Sequence, residues 1–387
     1  MTILFPYMAR WNSANMSRYY HLFTKIAEAG HTIVVVQPPP RKSEETNYID
    51  FPMENHGNIV LDTVKINARL WNMKFPIDKF FKKALYTIWS LMAIKRLTNQ
   101  FKPDAIVVYN LPQYIYTIGS TVPVIFDYAD DYIAMFRHEL GISERHVLTR
   151  IASALLHRLI RRSLMVTSVS EILNKKTAHP NAILLPNGAD IRPHAVPPPM
   201  LHIEKTKLTC GYVGAFEYFI DLDLMIQIAK ILPECSFVFV GAGRELVRVK
   251  EQVAELNLKN VVLTGAVPHR QAMQFIAEMD VCLNLFVKSE VSHAASPIKL
   301  FEYLASGKPV LTTRLIEVQR LDPHGDIVYY ADDAAEAVAT IRQLMRNDSN
   351  KAERMKRGKA LVEQHYTWEI IAQQFVEAAS RSLKRKV

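Results

Sequence analysis

The sequence predicts an α/β protein with two doubly wound, Rossmann-like domains that face a cleft. Three observations predict this fold class. Short apolar runs alternate with longer segments of helical period along the chain. The alternation occurs twice, on either side of a proline-rich linker at residues 192–199. With 387 residues, of which 49% are hydrophobic and 22% charged, the chain suits two globular domains and excludes a disordered or fibrous protein.

The predicted elements follow one another as strand, helix, strand in both halves. In the first half we expect strands at residues 2–5, 32–36, 105–109, 122–126, 165–169 and 183–185, with helices at 18–29, 80–99 and 144–161. In the second half we expect strands at residues 208–213, 237–240, 261–263, 281–285, 309–312 and 327–330, with helices at 222–232, 245–255, 271–278 and 300–305. This order predicts parallel sheets that bind ligands at the carboxyl ends of their strands.

The predicted domains are residues 1–190, residues 200–365 and a final helical segment at 366–387. Three cysteines without metal-ligand spacing, Cys210, Cys235 and Cys282, indicate buried thiols in a reducing compartment. The apolar start of the chain is interrupted by Pro6 and reads as a first strand rather than a signal peptide. No uninterrupted apolar window reaches spanning length. We therefore expect a cytoplasmic protein that at most lies on the inner face of a membrane.

The net charge of +9 is concentrated in the first half of the chain. Residues 1–190 carry a net charge of +7, and basic residues alternate with aromatic ones between residues 65 and 102. This pattern predicts contact with an anionic membrane surface. The residues assigned to this contact are Lys79, Lys82, Lys83, Arg161 and Arg162. A core-facing helix with a solvated basic face is the alternative, and no signature of a nucleic-acid-binding protein is present.

Glycines follow two of the strands in the second half. Gly241 and Gly243 lie between a strand and a helix, as in a phosphate-binding turn, and Gly214 follows the strand at 208–213. A pair of glycines is a weak signal, so a tight turn is an equally good interpretation.

The segment at residues 296–310 carries the most specific chemistry. Ser296 is expected to cap a helix whose first turn contains Pro297 and Ile298. Lys299 and Glu302 are three residues apart and project from one face of this helix. The free amides and the lysine suit the phosphates of a nucleotide diphosphate, and the carboxylate suits ribose hydroxyls. A surface ion pair is the alternative.

Acidic residues crowd after the strand at 122–126. Mutual repulsion raises the pKa of at least one of them, which suits a general base that deprotonates an acceptor hydroxyl. Asp130 and Asp131 are the candidates, and Asp131 alternatively caps the following helix. Asp221 and Asp223 form a DxD pattern, which binds a metal ion in some enzymes, but they begin a helix, where acids are common. We therefore expect no metal site.

The loop after the first strand is a candidate acceptor site. Trp11 suits stacking on a sugar ring, and Asn12, Ser13 and Arg18 offer polar contacts. A plain loop between strand and helix is the alternative.

Several of these motifs resemble the GT-B glycosyltransferases of family 4. The resemblance rests on residues 296–310, 211–214, 185–190 and 167–170, and it is greatest for bacterial transferases of the teichuronic acid and capsule type. It implies transfer of a sugar from a UDP- or GDP-sugar, bound by the C-terminal domain, to a saccharide or lipid-linked acceptor bound by the N-terminal domain. It also implies that the last helix crosses back to the N-terminal domain, and that no cofactor is needed.

Two positions depart from the family pattern. Ala294 stands where the family has a first glutamate, for which Glu290 or His293 is a candidate replacement, and the usual Arg and Lys after the strand at 208–213 are absent. The second departure resembles the xanthan glucuronosyltransferase group, whose aspartate base corresponds to Asp130. A sugar-nucleotide epimerase, which needs no acceptor, and a membrane-bound scaffold, which has no nucleotide affinity, are the alternative functions.

Overall fold

The computed structural model describes residues 1–11, 18–40, 57–72, 78–191, 208–346 and 348–385. The chain forms two compact units, one of Met1–Pro186 with Trp368–Val387 and one of Asn187–Thr367. The first unit ends four residues before the predicted boundary at 190, and the predicted linker at 192–199 lies outside the described residues.

The N-terminal unit contains a seven-stranded parallel sheet. Its strands are β1 (Thr2–Pro6), β2 (Thr32–Gln37), β3 (Ile59–Thr63), β4 (Ala105–Val108), β5 (Val124–Tyr128), β6 (Met165–Ser168) and β7 (Ala182–Leu184). The order β3-β2-β1-β4-β5-β6-β7 reverses between β1 and β4, which is the point where doubly wound sheets bind ligands. The sequence did not predict β3, because this edge strand is half-exposed and has a weak apolar pattern.

The helices of this unit connect the parallel strands. They are α1 (Arg18–Glu28), α2 (Ala68–Asn72), α3 (Asp78–Phe101), α4 (Tyr132–Leu140), α5 (Val147–Arg162) and α6 (Glu171–Thr177), with a 3-10 helix at Leu111–Thr117. The 3-10 helix packs between α3 and α5. A hydrogen bond of 2.6 Å between the hydroxyls of Ser90 and Tyr116 joins it to α3.

The C-terminal unit contains a six-stranded sheet, also parallel. Its strands are β8 (Thr209–Val213), β9 (Ser236–Val240), β10 (Val261–Gly265), β11 (Val281–Asn284), β12 (Val310–Thr312) and β13 (Tyr329–Tyr330). The order is β10-β9-β8-β11-β12-β13, so the reversal falls between β8 and β11. Two parallel sheets with intervening helices confirm the predicted fold class.

The helices of the C-terminal unit cover an apolar core. They are α7 (Leu222–Ile231), α8 (Leu246–Glu255), α9 (His269–Glu278), α10 (Glu290–His293), α11 (Ile298–Ala305), α12 (Ile316–Leu321), α13 (Ala334–Arg346) and α14 (Lys351–His365). All three cysteines are free and buried in this unit, as expected. Burial raises the pKa of the Cys210 and Cys282 thiols, so neither is a reactive thiolate.

The last helix, α15 (Trp368–Lys384), belongs to the N-terminal unit and packs against α1. The Trp368 ring stacks on His21 with centroids 5.3 Å apart, and Glu369 pairs with Lys25 at 2.8 Å. Among the described residues, no helix is both long and apolar enough to cross a membrane.

Candidate functional site

Helix α11 begins at the carboxyl edge of the second sheet, because it lies between the parallel strands β11 and β12. Pro297 is its N-cap residue and Ile298 its first helical residue, so the helix starts one residue later than predicted. The prediction of Ser296 as the cap is therefore corrected. The Ser296 hydroxyl and carbonyl oxygens instead accept hydrogen bonds from Asn187, at 3.2 Å and 2.5 Å, which fixes the approach to the helix.

Lys299 and Glu302 form a close ion pair on this helix. The Lys299 Nζ donates to Glu302 Oε2 at 2.7 Å, and His269 Nε2 lies 2.8 Å from Glu302 Oε1. Glu302 is only 2% exposed, so the pair is not the surface ion pair that the sequence left open. Burial alone would raise the pKa of Glu302, but Lys299 and His269 hold it well below its usual range. The carboxylate is therefore ionised.

His269 is a part of this cluster that the sequence did not predict. It is the first residue of α9, separated from the end of β10 by residues 266–268, so the strand order brings it to the same edge of the sheet as α11. An imidazole after an apolar strand was the only signal available, and the pairing with Glu302 joins residues 33 positions apart.

The three predicted glycines lie where two loops meet. A Cβ at Gly241 would lie 1.9 Å from the carbonyl oxygen of Gly214, and one at Gly243 would lie 2.3 Å from the carbonyl oxygen of Phe216. The loops are joined by hydrogen bonds from Gly214 to Val240 and from Phe216 to Ala242. The close approach that requires Gly241 and Gly243 is thus to the chain's own backbone. Contact with a phosphate stays a prediction.

The loop after β8 lacks the basic residues of the family pattern, but the side chain of Arg244, from the loop after β9, contacts it. Arg244 Nε donates to Glu217 at 2.8 Å, and its guanidinium lies 5.7 Å from the centre of the Tyr218 ring. Ala294 is buried at the end of α10. Glu290 and His293, the candidates to replace the missing glutamate, lie on α10 itself, and His293 Nδ1 accepts from the Ile316 amide at 3.3 Å.

Asp221 and Asp223 lie at the start of α7, which is the interpretation that the sequence favoured over a metal site. Asp221 caps α7 by accepting from the Leu224 amide at 2.9 Å, and Asp223 pairs with Arg248 at 2.6 Å.

The carboxyl end of β5 in the N-terminal unit holds a second polar cluster, centred on Asp127. Both oxygens of this buried carboxylate accept from Arg18, at 2.9 Å and 3.1 Å, and the Thr167 hydroxyl also donates to it. Arg18 is 4% exposed and donates further to the carbonyls of Leu185 and Pro186. The predicted acceptor contact of Arg18 is corrected, because its guanidinium joins α1 to the end of β5 and to the residues that follow β7 instead.

Trp11 also has a structural position. Its side chain is 2% exposed and packs against the rings of Tyr7 and Tyr20. The prediction that it stacks on a sugar ring is corrected on this ground. Asn12 and Ser13 lie outside the described residues.

Asp131 takes the structural role that the sequence left open. It is the N-cap residue of α4, its Oδ1 accepts from the Ala134 amide at 3.1 Å, and its Oδ2 pairs with Lys176 at 2.5 Å. A buried carboxylate with both oxygens occupied is a poor base, so the catalytic candidacy of Asp131 is corrected.

Asp130 is the exposed carboxylate of this group. Its pKa is raised to about 6, mainly because the surrounding protein reduces its hydration, while the positive charge of Lys83 acts in the opposite direction. The side chain itself remains accessible to solvent. Asp130 thus combines access with a pKa near neutrality, which a general base requires.

The residues assigned to membrane contact lie in different surroundings. Lys82 is buried at 6% exposure, so it cannot reach a membrane surface, and this assignment is corrected. Lys83 is half-buried, and its positive charge lowers the pKa of Asp130. The side chain of Lys79 lies outside the described residues. Arg161 and Arg162 are exposed at the end of α5.

Two doubly wound units of this kind define the GT-B class of fold. Within it, residues 223–377 match the glycosyl transferase-like family. The chain is 25% identical, over 225 residues, to TuaH of Bacillus subtilis, a protein named as a teichuronic acid biosynthesis glycosyltransferase. That match covers 55% of this chain and 56% of TuaH, so it concerns little more than half of the relative.

Solved structures share the fold over the whole chain. Sucrose-phosphate synthase from Thermosynechococcus elongatus superposes with a TM-score of 0.73 at 14% identity, covering 100% of both chains. HepE from Anabaena, in complex with UDP and glucose, superposes with a TM-score of 0.71 at 16% identity, covering 98% of this chain and 99% of its own. The resemblance to GT-B glycosyltransferases is therefore confirmed, by the fold throughout and by the family match over residues 223–377.

Proposed function

We propose that this chain is a glycosyltransferase that moves a sugar from a nucleotide-sugar donor to a saccharide or lipid-linked acceptor in bacterial polysaccharide assembly. The family match and the similarity to TuaH support the reaction class. The observation that carries the proposal is the cluster of Lys299, Glu302 and His269 at the carboxyl edge of the second sheet.

The cluster suits a nucleoside diphosphate. The first amides of α11 have no intrahelical acceptor and, with Lys299, favour the negative charge of a diphosphate. The ionised Glu302 has lone pairs beyond those used by Lys299 and His269, and these accept hydrogen bonds from ribose hydroxyls. UDP is the favoured nucleotide, because HepE, which shares the fold, is known in complex with UDP and glucose.

Lys299 and the helix amides also make the proposed reaction independent of a metal ion. They neutralise the charge that develops on the departing diphosphate, which is the task of a metal ion in other transferases. Transfer in the presence of EDTA should equal transfer in added magnesium, and a strict requirement for the metal would contradict this part of the proposal.

On the acceptor side, Asp130 acts as the general base. With a pKa of about 6 it is roughly 90% ionised at pH 7 and still basic enough to take a proton from an attacking hydroxyl. If the reaction retains the anomeric configuration, the same carboxylate instead orients the donor sugar.

The donor site is tested by calorimetry with UDP and GDP. Lys299→Met should weaken UDP binding by roughly 10-fold to 100-fold, the value of a hydrogen bond to a charged group. Lys308→Met is the matched control, because Lys308 lies beyond the opposite end of α11 and donates to the carbonyl of Ala277. Equal UDP affinity in the two variants, both folded at the temperature of the measurement, would remove the proposed donor site.

Peripheral association with the inner face of an anionic membrane belongs to the same proposal. The net charge of +7 in residues 1–190 supports it, and the proposed lipid-linked acceptor would lie at such a surface.

A further inference from the structure

An open groove lies on the surface of the N-terminal unit, between the C-terminal end of α5 and the 3-10 helix. Its volume is about 510 Å³, and it is lined by Tyr114, Arg158, Arg161 and Arg162. The Arg162 guanidinium lies 5.4 Å from the centre of the Tyr114 ring, a cation–π contact between two of the lining residues. We call this feature the arginine groove.

The arginine groove carries positive charge that the described part of the chain does not neutralise. Arg158, Arg161 and Arg162 are exposed, and none forms an ion pair with a described carboxylate. Helix α5 contains no acidic residue in its whole length. Three adjacent guanidinium groups repel one another, so an anion that enters the groove is stabilised.

Apolar side chains continue the same face of α5. Val147 and Ile151 are 61% and 51% exposed, and Ile151 lies seven residues before Arg158, so the two project in nearly the same direction. The helices packed beside the groove add further exposed apolar residues. These are Ile88, Trp89 and Met92 on α3 and Ile118 at the end of the 3-10 helix.

We propose that the arginine groove binds the phosphate headgroup of an anionic membrane lipid, while the exposed apolar residues of α5 enter the acyl boundary. This inference deepens the proposed membrane association and rests on it. Arginine suits the task because its planar guanidinium donates two parallel hydrogen bonds to phosphate oxygens. A soluble phosphate compound would use the guanidinium groups but would leave Val147 and Ile151 in water.

The test is sedimentation of the full chain with two kinds of vesicle. One kind contains phosphatidylcholine alone, and the other contains phosphatidylcholine with about 30% phosphatidylglycerol. The triple variant R158Q/R161Q/R162Q should lose vesicle binding by a factor on the order of 100, about five-fold for each basic residue near the surface. The control R342Q/R346Q/K356Q removes the same charge from exposed positions of the C-terminal unit and should bind nearly as well as the wild type.

A second variant separates a phosphate site from general attraction. R158K/R161K/R162K keeps the charge but loses the paired hydrogen bonds, so it should bind several-fold more weakly than the wild type. Ile151→Ser should weaken vesicle binding without changing the affinity for inorganic phosphate measured by calorimetry.

The outcomes are distinguishable. No vesicle binding by the wild type would overturn the membrane association itself. If the wild type and both arginine variants bind vesicles equally well, the arginine groove is refuted as the lipid site and the membrane association stands. Binding of inorganic phosphate at the groove, with no preference for anionic vesicles, would identify a soluble phosphate compound as the ligand and refute the lipid.

Discussion

Replacing Glu302 with Gln tests whether the charge of this residue stabilises the C-terminal unit. Its two oxygens accept from Lys299 at 2.7 Å and from His269 at 2.8 Å. Hydrogen bonds to a charged group contribute about 1.5–3 kcal/mol each, and the glutamine amide preserves at most one of them. Lys299 is 26% exposed, so water solvates its ammonium after the substitution and keeps the loss below the roughly 3–5 kcal/mol of a fully buried pair. We expect a loss of about 2–3 kcal/mol in the free energy of unfolding.

The two units can be followed separately in a urea titration. All four tryptophans, Trp11, Trp71, Trp89 and Trp368, belong to the N-terminal unit, so their fluorescence reports that unit alone. The far-ultraviolet circular dichroism reports both units. Glu302→Gln should lower the urea midpoint of the C-terminal unit, which only circular dichroism reports, and leave the fluorescence transition unchanged.

The matched control is Glu363→Gln, because Glu363 is 43% exposed and lies 3.9 Å from Lys359. It should cost less than about 0.5 kcal/mol, as expected for an exposed pair. Because the pKa of Glu302 is lowered on folding, its contribution is complete above the ordinary glutamate pKa and decreases as the pH falls below it. A double-mutant cycle with Lys299→Met should show coupling of at least about 1 kcal/mol. Additive effects of the two substitutions would refute the reasoning.

Three further predictions concern Asp130, Asp131 and the glycine turn. Since the pKa of Asp130 is raised from 3.8 to about 6, kcat/KM should fall about tenfold per unit of pH below 6, and Asp130→Asn should abolish transfer while UDP affinity stays unchanged. Asp131→Ala should lower the stability of the N-terminal unit by about 1–2 kcal/mol through loss of the α4 cap, with transfer retained; loss of transfer at full stability would restore its catalytic candidacy. Gly243→Ala should cost at least about 2 kcal/mol in thermal unfolding, because its Cβ would meet the Phe216 backbone, whereas Gly57→Ala, which meets no atom within 4 Å, should be neutral; equal effects would contradict the close loop contact.

The fold was predictable because its signals are local. Apolar runs of strand length, helical periods and a proline-rich interruption need no knowledge of long-range contacts. The pairing of Lys299 with Glu302 was predictable for the same reason, since residues three apart on a helix share a face. The half-exposed edge strand β3 lacked such a signal.

The remaining features depend on contacts between distant parts of the chain. Arg18 meets Asp127 across 109 residues, and nothing near Arg18 in the sequence distinguishes a buried structural cation from an acceptor ligand. Lys82 and Lys83 are neighbours in the sequence, yet Lys82 is buried while the charge of Lys83 lowers the pKa of Asp130, because successive residues of a helix point about 100° apart. His269 joined the cluster only through the order of the strands.

The position of α15 has a consequence for how the chain folds during synthesis. Because Trp368–Lys384 completes the N-terminal unit, the whole C-terminal unit is an insertion within it. The ribosome releases residues 187–367 before the helix that packs on α1, so the second unit can finish folding first. Until α15 emerges, Phe23 and His21 lack the partners Phe375 and Trp368 and present an apolar surface on α1. The part of the protein made first is thus the part completed last, and α1 is the surface that a chaperone would need to cover in the interval.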